Sequence, residues 1–490
     1  MNNLMTNIQS PIQKWVLLFL SIISIVGFQS ADAQTKTNIL WINADDLGIE
    51  LHCYGNLDVK TPNIDRLASQ GVRFSNAHAA TPVCSPSRSS MITGMYPPSI
   101  NCHDHRTVDM TTLPSGIRPI TAYFKEAGYF CTNGSAADRS KPGKEDFNFI
   151  AKNIFDGTDW SKRKPGQPFF AQIQIYNPHR PFVHDSNNPI NPNNVHFPAC
   201  YPDHPLLRAD WAMYLESIQQ CDKIVGKILK RLDDEGLAEN TIVMLFGDNG
   251  RPHLRDKQFL YEGGLKVPLI IRWPGKLKPG KVDDQLVSLI DVSATSMAVA
   301  KLPIPAYMQG NVFIGENVLK RKYIFGFRQR MGDAVDDSRS ISDGRYKLIW
   351  NRMPGVSWMQ MSGYKKSEYP AYALYHHLHK QGKLAEPFDL FMASKKPEIE
   401  LYDLTNDPVE FNNLANNQKQ VSIKMKLYNT LVDSLKLFEK NMIPEKQKTI
   451  QKAKDSSATY FQARMKKIGL SNQSTDEEIV RFWETELLNQ

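Results

Sequence analysis

Hydrophobic residues fall in short runs separated by amphipathic stretches. Thr37 to Ala44, TNILWINA, is one such run and ends at Asp45-Asp46. Its length and continuity predict a buried strand with two carboxylates at its C-terminal end. Phe169–Tyr176, Thr241–Phe246 and Val267–Trp273 predict three more strands, the third of these four ending at Gly247-Asp248-Asn249-Gly250. Helices are predicted from Thr61 to Ala68, with Pro62 in the first turn, from Ser87 to Thr93, entered through Pro86, and from Thr121 to Ala127, stopped by Gly128. Ala209 to Glu235 carries Leu215, Ile218, Ile224, Ile228 and Leu232 at helical spacing.

Strands alternating with helices predict an α/β fold with a large, mostly parallel sheet sandwiched by helices. The pattern changes after Phe313. Tyr323–Arg328, Tyr346–Trp350 and Glu400–Leu404 read as antiparallel strands, and Gln418–Glu439 as a helix packed on them. The expected organisation is a catalytic domain over 34–315, a smaller C-terminal α+β domain on a short antiparallel sheet over 316–440, and a charged tail over 441–490. In the tail, Thr475-x-x-Glu478 has the form of a capping box ahead of Ile479, Val480 and Trp483.

Lys14 precedes a fourteen-residue apolar run, Trp15–Phe28, followed by Ala31-Asp32-Ala33. The run is short of the roughly 20 residues a membrane helix needs. The whole reads as an export signal, residues 1–33, cleaved after Ala33. The expectation is a periplasmic or secreted protein without stable membrane insertion. Export permits disulfides, but Cys53, Cys84, Cys102, Cys131, Cys200 and Cys221 show no CxxC spacing and do not form a zinc pattern. The net charge of +8 over 490 residues suits an anionic substrate. No dense Lys/Arg block points to nucleic acid.

Cys84-Ser85-Pro86-Ser87-Arg88-Ser89-Ser90-Met91-Ile92-Thr93-Gly94 is the decisive string. It resembles the signature C-x-P-S-R-x-x-x-[LI]-T-G of type I, formylglycine-dependent sulfatases of the alkaline phosphatase superfamily. The resemblance implies an alkaline-phosphatase-like fold. It also implies oxidation of Cys84 to formylglycine (3-oxoalanine) by a formylglycine-generating enzyme. One hydroxyl of the aldehyde hydrate attacks sulfur, and the other expels sulfate, so no water need hydrolyse a stable ester. Alone, Cys84 would read as a buried structural cysteine and Arg88 as a surface charge.

The same resemblance assigns a metal site to Asp45, Asp46, Asp248 and Asn249, with the modified Cys84 counted among the ligands. Three carboxylates and an amide oxygen suit one Ca²⁺ rather than Zn²⁺. Arg88 lies about one helical turn after Cys84 and is placed to hold the hydrate and the sulfate. Lys257-x-x-x-Tyr261-Glu262-Gly263-Gly264 resembles the family's K-x-x-x-Y-E-G-G segment, which makes Lys257 a sulfate contact; Lys266 stands where the family often has Arg. His179, in Asn177-Pro178-His179-Arg180-Pro181, matches the histidine on the leaving-group side, a general acid. The family's G-K-x-H is replaced by Gly143-Lys144-Glu145-Asp146. Lys144 retains the cation, and Asp146 stands at the histidine position, a form comparable to K-x-D in heparan N-sulfatases and polysaccharide sulfatases. His103, His105 and Arg106 are candidates to supply an imidazole or to contact the sugar.

Glu400-Leu401-Tyr402-Asp403-Leu404 through Asn413-Leu414-Ala415 resembles a string of the family's second domain, structural in role. Arg328, Arg330, His376 and His377 are candidate subsite residues from that part of the chain. The expected activity is removal of sulfate from a sulfated polysaccharide or oligosaccharide, with ulvan or another algal glycan ahead of glycosaminoglycans. Two alternatives stay open: a formylglycine-dependent phosphonate monoester hydrolase or phosphodiesterase, and an inactive anionic-glycan-binding protein.

Overall fold

The computed structural model describes residues 36–488; the predicted export signal lies outside them. Thirteen strands occur among the described residues: β1 (Asn38–Ala44), β2 (Val72–His78), β3 (Thr111–Thr112), β4 (Phe130–Ser135), β5 (Phe149–Ile150), β6 (Phe169–Ile175), β7 (Thr241–Gly247), β8 (Leu269–Arg272), β9 (Lys281–Ser288), β10 (Ile324–Arg328), β11 (Ser338–Ser342), β12 (Tyr346–Asn351) and β13 (Ile399–Asp403). The helices are α1 (Pro62–Ser69), α2 (Cys84–Thr93), α3 (Ile120–Glu126), α4 (Pro205–Asp234), α5 (Glu262–Leu265), α6 (Asp291–Val299), α7 (Gly363–Glu368), α8 (Pro370–Lys380), α9 (Val421–Phe438), α10 (Gln447–Lys467) and α11 (Asp476–Leu488).

Seven strands form the main sheet in the order β4-β6-β1-β7-β8-β2-β9. All its pairings are parallel except those of β8, which runs antiparallel to both β7 and β2. Alternation in β1 explains the three layers. Ile39 and Trp41 enter one core with Phe170, Met244 and Phe246, while Leu40 and Ile42 enter the other with Ala171, Val243 and Leu245. The first core is closed by α2, α3 and α6, the second by α1 and α4. On α4 the apolar face, including Leu215, Ile218, Ile228 and Leu232, is fully or nearly fully buried.

The second sheet, β10-β11-β12-β13, is antiparallel throughout. Its strand β11, SRSIS, has a single apolar residue, Ile341, and carries no hydrophobic run. The predicted strand Val267–Trp273 shortens to β8. Strands β2, β4 and β9 are too polar to stand out as runs, yet they pair within the main sheet. The capping box is formed: Glu478 N–H donates to Thr475 Oγ1 at 3.2 Å, and Thr475 N–H to Glu478 Oε2 at 2.7 Å. All six cysteines are free thiols.

Candidate active site

Strands β1 and β7 are parallel neighbours with Ala44 opposite Gly247, so the residues that follow them emerge side by side. Sheet connectivity therefore brings Asp45-Asp46 to Asp248-Asn249 at the C-terminal end of the central strands, where open α/β sheets place their ligands. All four side chains are buried. Asp46 has φ 62°, a left-handed conformation that costs a non-glycine residue about 1–3 kcal/mol. Its N–H is held by Asp248 Oδ1 at 3.0 Å.

The helix predicted from Ser87 begins three residues earlier, at Cys84, because Val83 is extended and Pro86 fits the first turn. It ends at Gly94, φ 66°, where a Cβ would lie 2.7 Å from the Met308 side chain. The earlier start puts Cys84 in the first turn, above the carboxylates. Its thiol donates to Asp45 Oδ1 at 3.2 Å, and Lys257 Nζ lies 3.4 Å from Sγ. Burial, then the Asp45 charge, push the thiol well above its ordinary pKa, so it keeps its proton at neutral pH.

Each carboxylate has its own cation. Lys257 Nζ donates to Asp46 Oδ1 and Oδ2 at 2.6 and 2.8 Å. Lys144 Nζ donates to Asp45 Oδ2 at 2.7 Å. Arg88 Nε donates to Asp248 Oδ2 at 2.9 Å, and its Nη2 approaches Asp45 Oδ1 at 3.4 Å. Burial acts to raise Asp45, but Lys144 and Arg88 hold it well below the usual carboxylate range. Burial raises Asp248 to about 6, with Arg88 opposing.

The residues fit a hard divalent cation. Ligand atoms of Asp45, Asp46, Cys84 and Asp248 lie within 4.8 Å of one another. Asn249 Nδ2 donates to Asp46 Oδ1 and to the Gly250 carbonyl, at 2.8 and 2.9 Å. That leaves Asn249 Oδ1 buried with no hydrogen bond, an arrangement that costs free energy unless an ion or water completes it.

His179 presents Nε2 3.8 Å from Asp46 Oδ2, while Nδ1 is engaged with the Arg180 carbonyl at 2.5 Å. Burial lowers its pKa despite the nearby Asp46. Cys84, His105, Arg106, His179 and Lys257 share one cavity of about 430 Å³. His105 is neutral, its pKa driven well down by burial and by Arg106. Asp146 pairs with Arg106 Nε at 3.4 Å and lies 4.0 Å from Lys144 Nζ, at the edge of the site.

Other expectations change. His103 is buried and turned to Asp104 at 3.5 Å, so it does not line the cavity. Arg328 is a packing residue, paired with Asp336 at 2.8 Å over the Phe259 ring. His376 and His377 lie on α8 and do not line the cavity. Arg330 does line it, but its guanidinium is taken by Glu445, at 2.6 and 2.8 Å. Lys266 pairs with Glu262 at 3.8 Å. Gln174 was missed by the sequence reading: its Oε1 accepts from Arg88 Nη1 at 2.5 Å, and its Nε2 donates to Gln172 and Asn133 at 3.0 and 3.3 Å. Two glutamines at alternate positions of an otherwise apolar strand were the available signal.

The sulfatase family profile matches residues 37–302, more than half of the chain. The chain belongs to the sulfatase family. It is a sulfuric ester hydrolase. A second profile, the C-terminal part of N-sulphoglucosamine sulphohydrolase, matches residues 250–361. Two ulvan-active sulfatases of Formosa agariphila resemble this sulfatase. One is 31% identical over 437 residues, covering 78% of this chain and 72% of the relative, and the other 30% identical over 457 residues, covering 85% and 84%. Among solved structures, BT4656 in complex with its substrate D-glucosamine-2-N,6-O-disulfate superposes with a TM-score of 0.59 at 17% identity, covering 83% of this chain and 99% of that one. At that identity the likeness establishes the shared fold.

Proposed function

We propose that this sulfatase removes sulfate from a sulfated polysaccharide or its oligosaccharides, with ulvan as the first substrate class and glycosaminoglycans as the second. The observation that carries the reading is the position of Cys84: first turn of a buried helix, 3.2 Å from Asp45 and 3.4 Å from Lys257, at the floor of an open cavity. The likeness to two ulvan-active sulfatases supports the first class, and the N-sulphoglucosamine sulphohydrolase profile supports the second.

Residue 84, once matured to formylglycine, supplies a hydrate hydroxyl as nucleophile and a second hydroxyl for release; the Cys84 sulfur marks where those oxygens stand. Ca²⁺ would be held by Asp45, Asp46, Asp248 and Asn249, where it supplies Lewis-acid stabilisation of sulfate oxygens.

The remaining work falls to the chain's own groups. Three carboxylates are matched by Arg88, Lys144 and Lys257, so a divalent cation leaves the site net positive and ready for a sulfate monoester anion. Lys257 and Lys144 bond sulfate oxygens in place of the carboxylates they now hold, and their charge counts for more where water is excluded. Arg88 is immobilised by Asp248 and Gln174, so it does not reorganise during the reaction. His179, whose Nδ1–H is held by the Arg180 carbonyl, offers Nε2 to the leaving oxygen and acts as general acid in its doubly protonated form, which a bound sulfate anion favours against the burial that lowers its pKa.

The test is free sulfate released from ulvan, carrageenan and heparan fragments, with a phosphonate monoester beside them. The protein is co-expressed with a formylglycine-generating enzyme, and the aldehyde at residue 84 is verified by mass spectrometry. Release from sulfated glycans that is absent in Cys84→Ala supports the reading. Turnover of the phosphonate alone defeats it. Export belongs to the same proposal, and N-terminal sequencing of secreted protein checks cleavage after Ala33.

A further inference from the structure

Residues beyond 361 lie outside both family profiles, yet one of their helices borders the catalytic cavity. Ala453, Ser456, Ser457 and Tyr460 of α10 line it together with Cys84, His105 and His179. Their spacing, i, i+3, i+4 and i+7, is one face of a helix.

This wall is fastened to the catalytic loops. Just before α10, Glu445 pairs with Arg330, whose carbonyl accepts the His105 N–H at 2.9 Å. Thr449 donates to Asp109 at 2.5 Å. Phe461 and Met465 are buried on the packed side of α10. Gly363 admits that close approach, since a Cβ there would lie 3.0 Å from Phe461 Cβ and 3.3 Å from the Ser457 carbonyl. Tyr460 Oη donates to Glu368 Oε1 at 2.9 Å, and Arg464 holds the same carboxylate at 2.6 and 3.1 Å. The Glu368 carbonyl in turn accepts from Arg180, the neighbour of His179, at 3.1 Å.

Tyr460 is thus held at its hydroxyl while 46% of the residue stays exposed. A fixed, exposed aromatic face orders little more on binding, so contact area there converts efficiently into affinity. Ser456 is exposed and Ser457 half-buried, and neither hydroxyl is engaged by a side chain or backbone group among the described residues. A flat apolar face beside free hydroxyls matches a pyranose, which presents a C–H face edged by hydroxyl groups.

We propose that α10 is the specificity wall for the sugar that departs from sulfate: Tyr460 packs on its C–H face, and Ser456 and Ser457 bond its hydroxyls. The proposal rests on the sulfated-glycan reading above and assigns substrate selection to a segment outside the family profiles.

The test uses the full chain with Cys84→Ala, which binds without turnover, titrated with ulvan, carrageenan and heparan oligosaccharides by calorimetry. Adding Tyr460→Ala should weaken binding of the preferred oligosaccharide by about tenfold or more. Tyr460→Phe, which keeps the ring, should restore most of it, and Gln451→Ala, exposed on α10 outside the cavity lining, should leave it unchanged. In matured enzyme, Tyr460→Ala should raise KM for that oligosaccharide far more than it lowers turnover of 4-nitrophenyl sulfate, which has no sugar. Binding that is insensitive to both Tyr460→Ala and Ser457→Leu, or equal losses on the two substrates, overturns the assignment of α10. Failure of the Cys84→Ala protein to bind any of the three oligosaccharides overturns the glycan reading and this proposal with it.

Discussion

Lys257 Nζ lies 2.6 and 2.8 Å from the two carboxylate oxygens of Asp46 and 3.4 Å from Cys84 Sγ, so one ammonium touches both the acidic cage and the proposed nucleophile position. Lys257→Ala should lower kcat by about 10²–10³-fold, the usual loss when one preorganised charge-stabilising contact is removed. Circular dichroism should show a folded protein. Near-normal sulfate release from a matured, folded variant would remove Lys257 from the mechanism.

Metal dependence is predicted from the three carboxylates of Asp45, Asp46 and Asp248, which gather beside Cys84, and from the orphaned Asn249 Oδ1. Dialysis against a chelator should abolish sulfate release. Ca²⁺ should restore it, whereas Zn²⁺, which favours nitrogen and sulfur ligands, should not. Asn249→Leu should raise the Ca²⁺ concentration needed for half activity. Full activity after exhaustive chelation, with metal analysis showing none bound, would contradict the site.

His179 is assigned to the leaving-group side, so its loss should depend on the leaving group. His179→Gln should cost about 10²–10⁴-fold on a sugar sulfate, whose alkoxide needs a proton, and much less on 4-nitrophenyl sulfate. Equal losses on both would make His179 a binding residue only.

Away from the site, Asp159 links the loop after β5 to α4: Arg231 Nη1 and Nη2 lie 2.8 and 2.7 Å from its oxygens, stacked over the Trp160 ring. Burial raises the pKa of Asp159, but the Arg231 and Ser161 hydrogen bonds outweigh it and bring it to about 2. Because the folded value lies below the unfolded one, this stabilisation is complete above the ordinary carboxylate pKa. It fades as pH falls from near 4 through 2. Asp159→Asn should therefore melt below the parent at pH 7, and the gap should narrow below pH 4. A gap that is constant with pH would show that the pair contributes through packing alone.

The residues that the structure gathers in the candidate site were legible in the sequence because they sit in local signals: Cys84 and Arg88 one turn apart, Asp45-Asp46 and Asp248-Asn249 each ending an apolar run, and Lys257 four residues before Tyr261. Apolar runs likewise marked β1, β6 and β7, since a strand buried on both faces needs no polar alternation. What only the tertiary structure decided is which distant groups meet. Strands such as β11, with one apolar residue, are strands because neighbours complete their hydrogen bonds. Arg328 became a packing residue because Asp336 and Phe259 claim it. The α10 face lines the cavity because Gly363, Glu368 and Arg330 dock it there, contacts across roughly 90 to 115 residues that no local periodicity encodes.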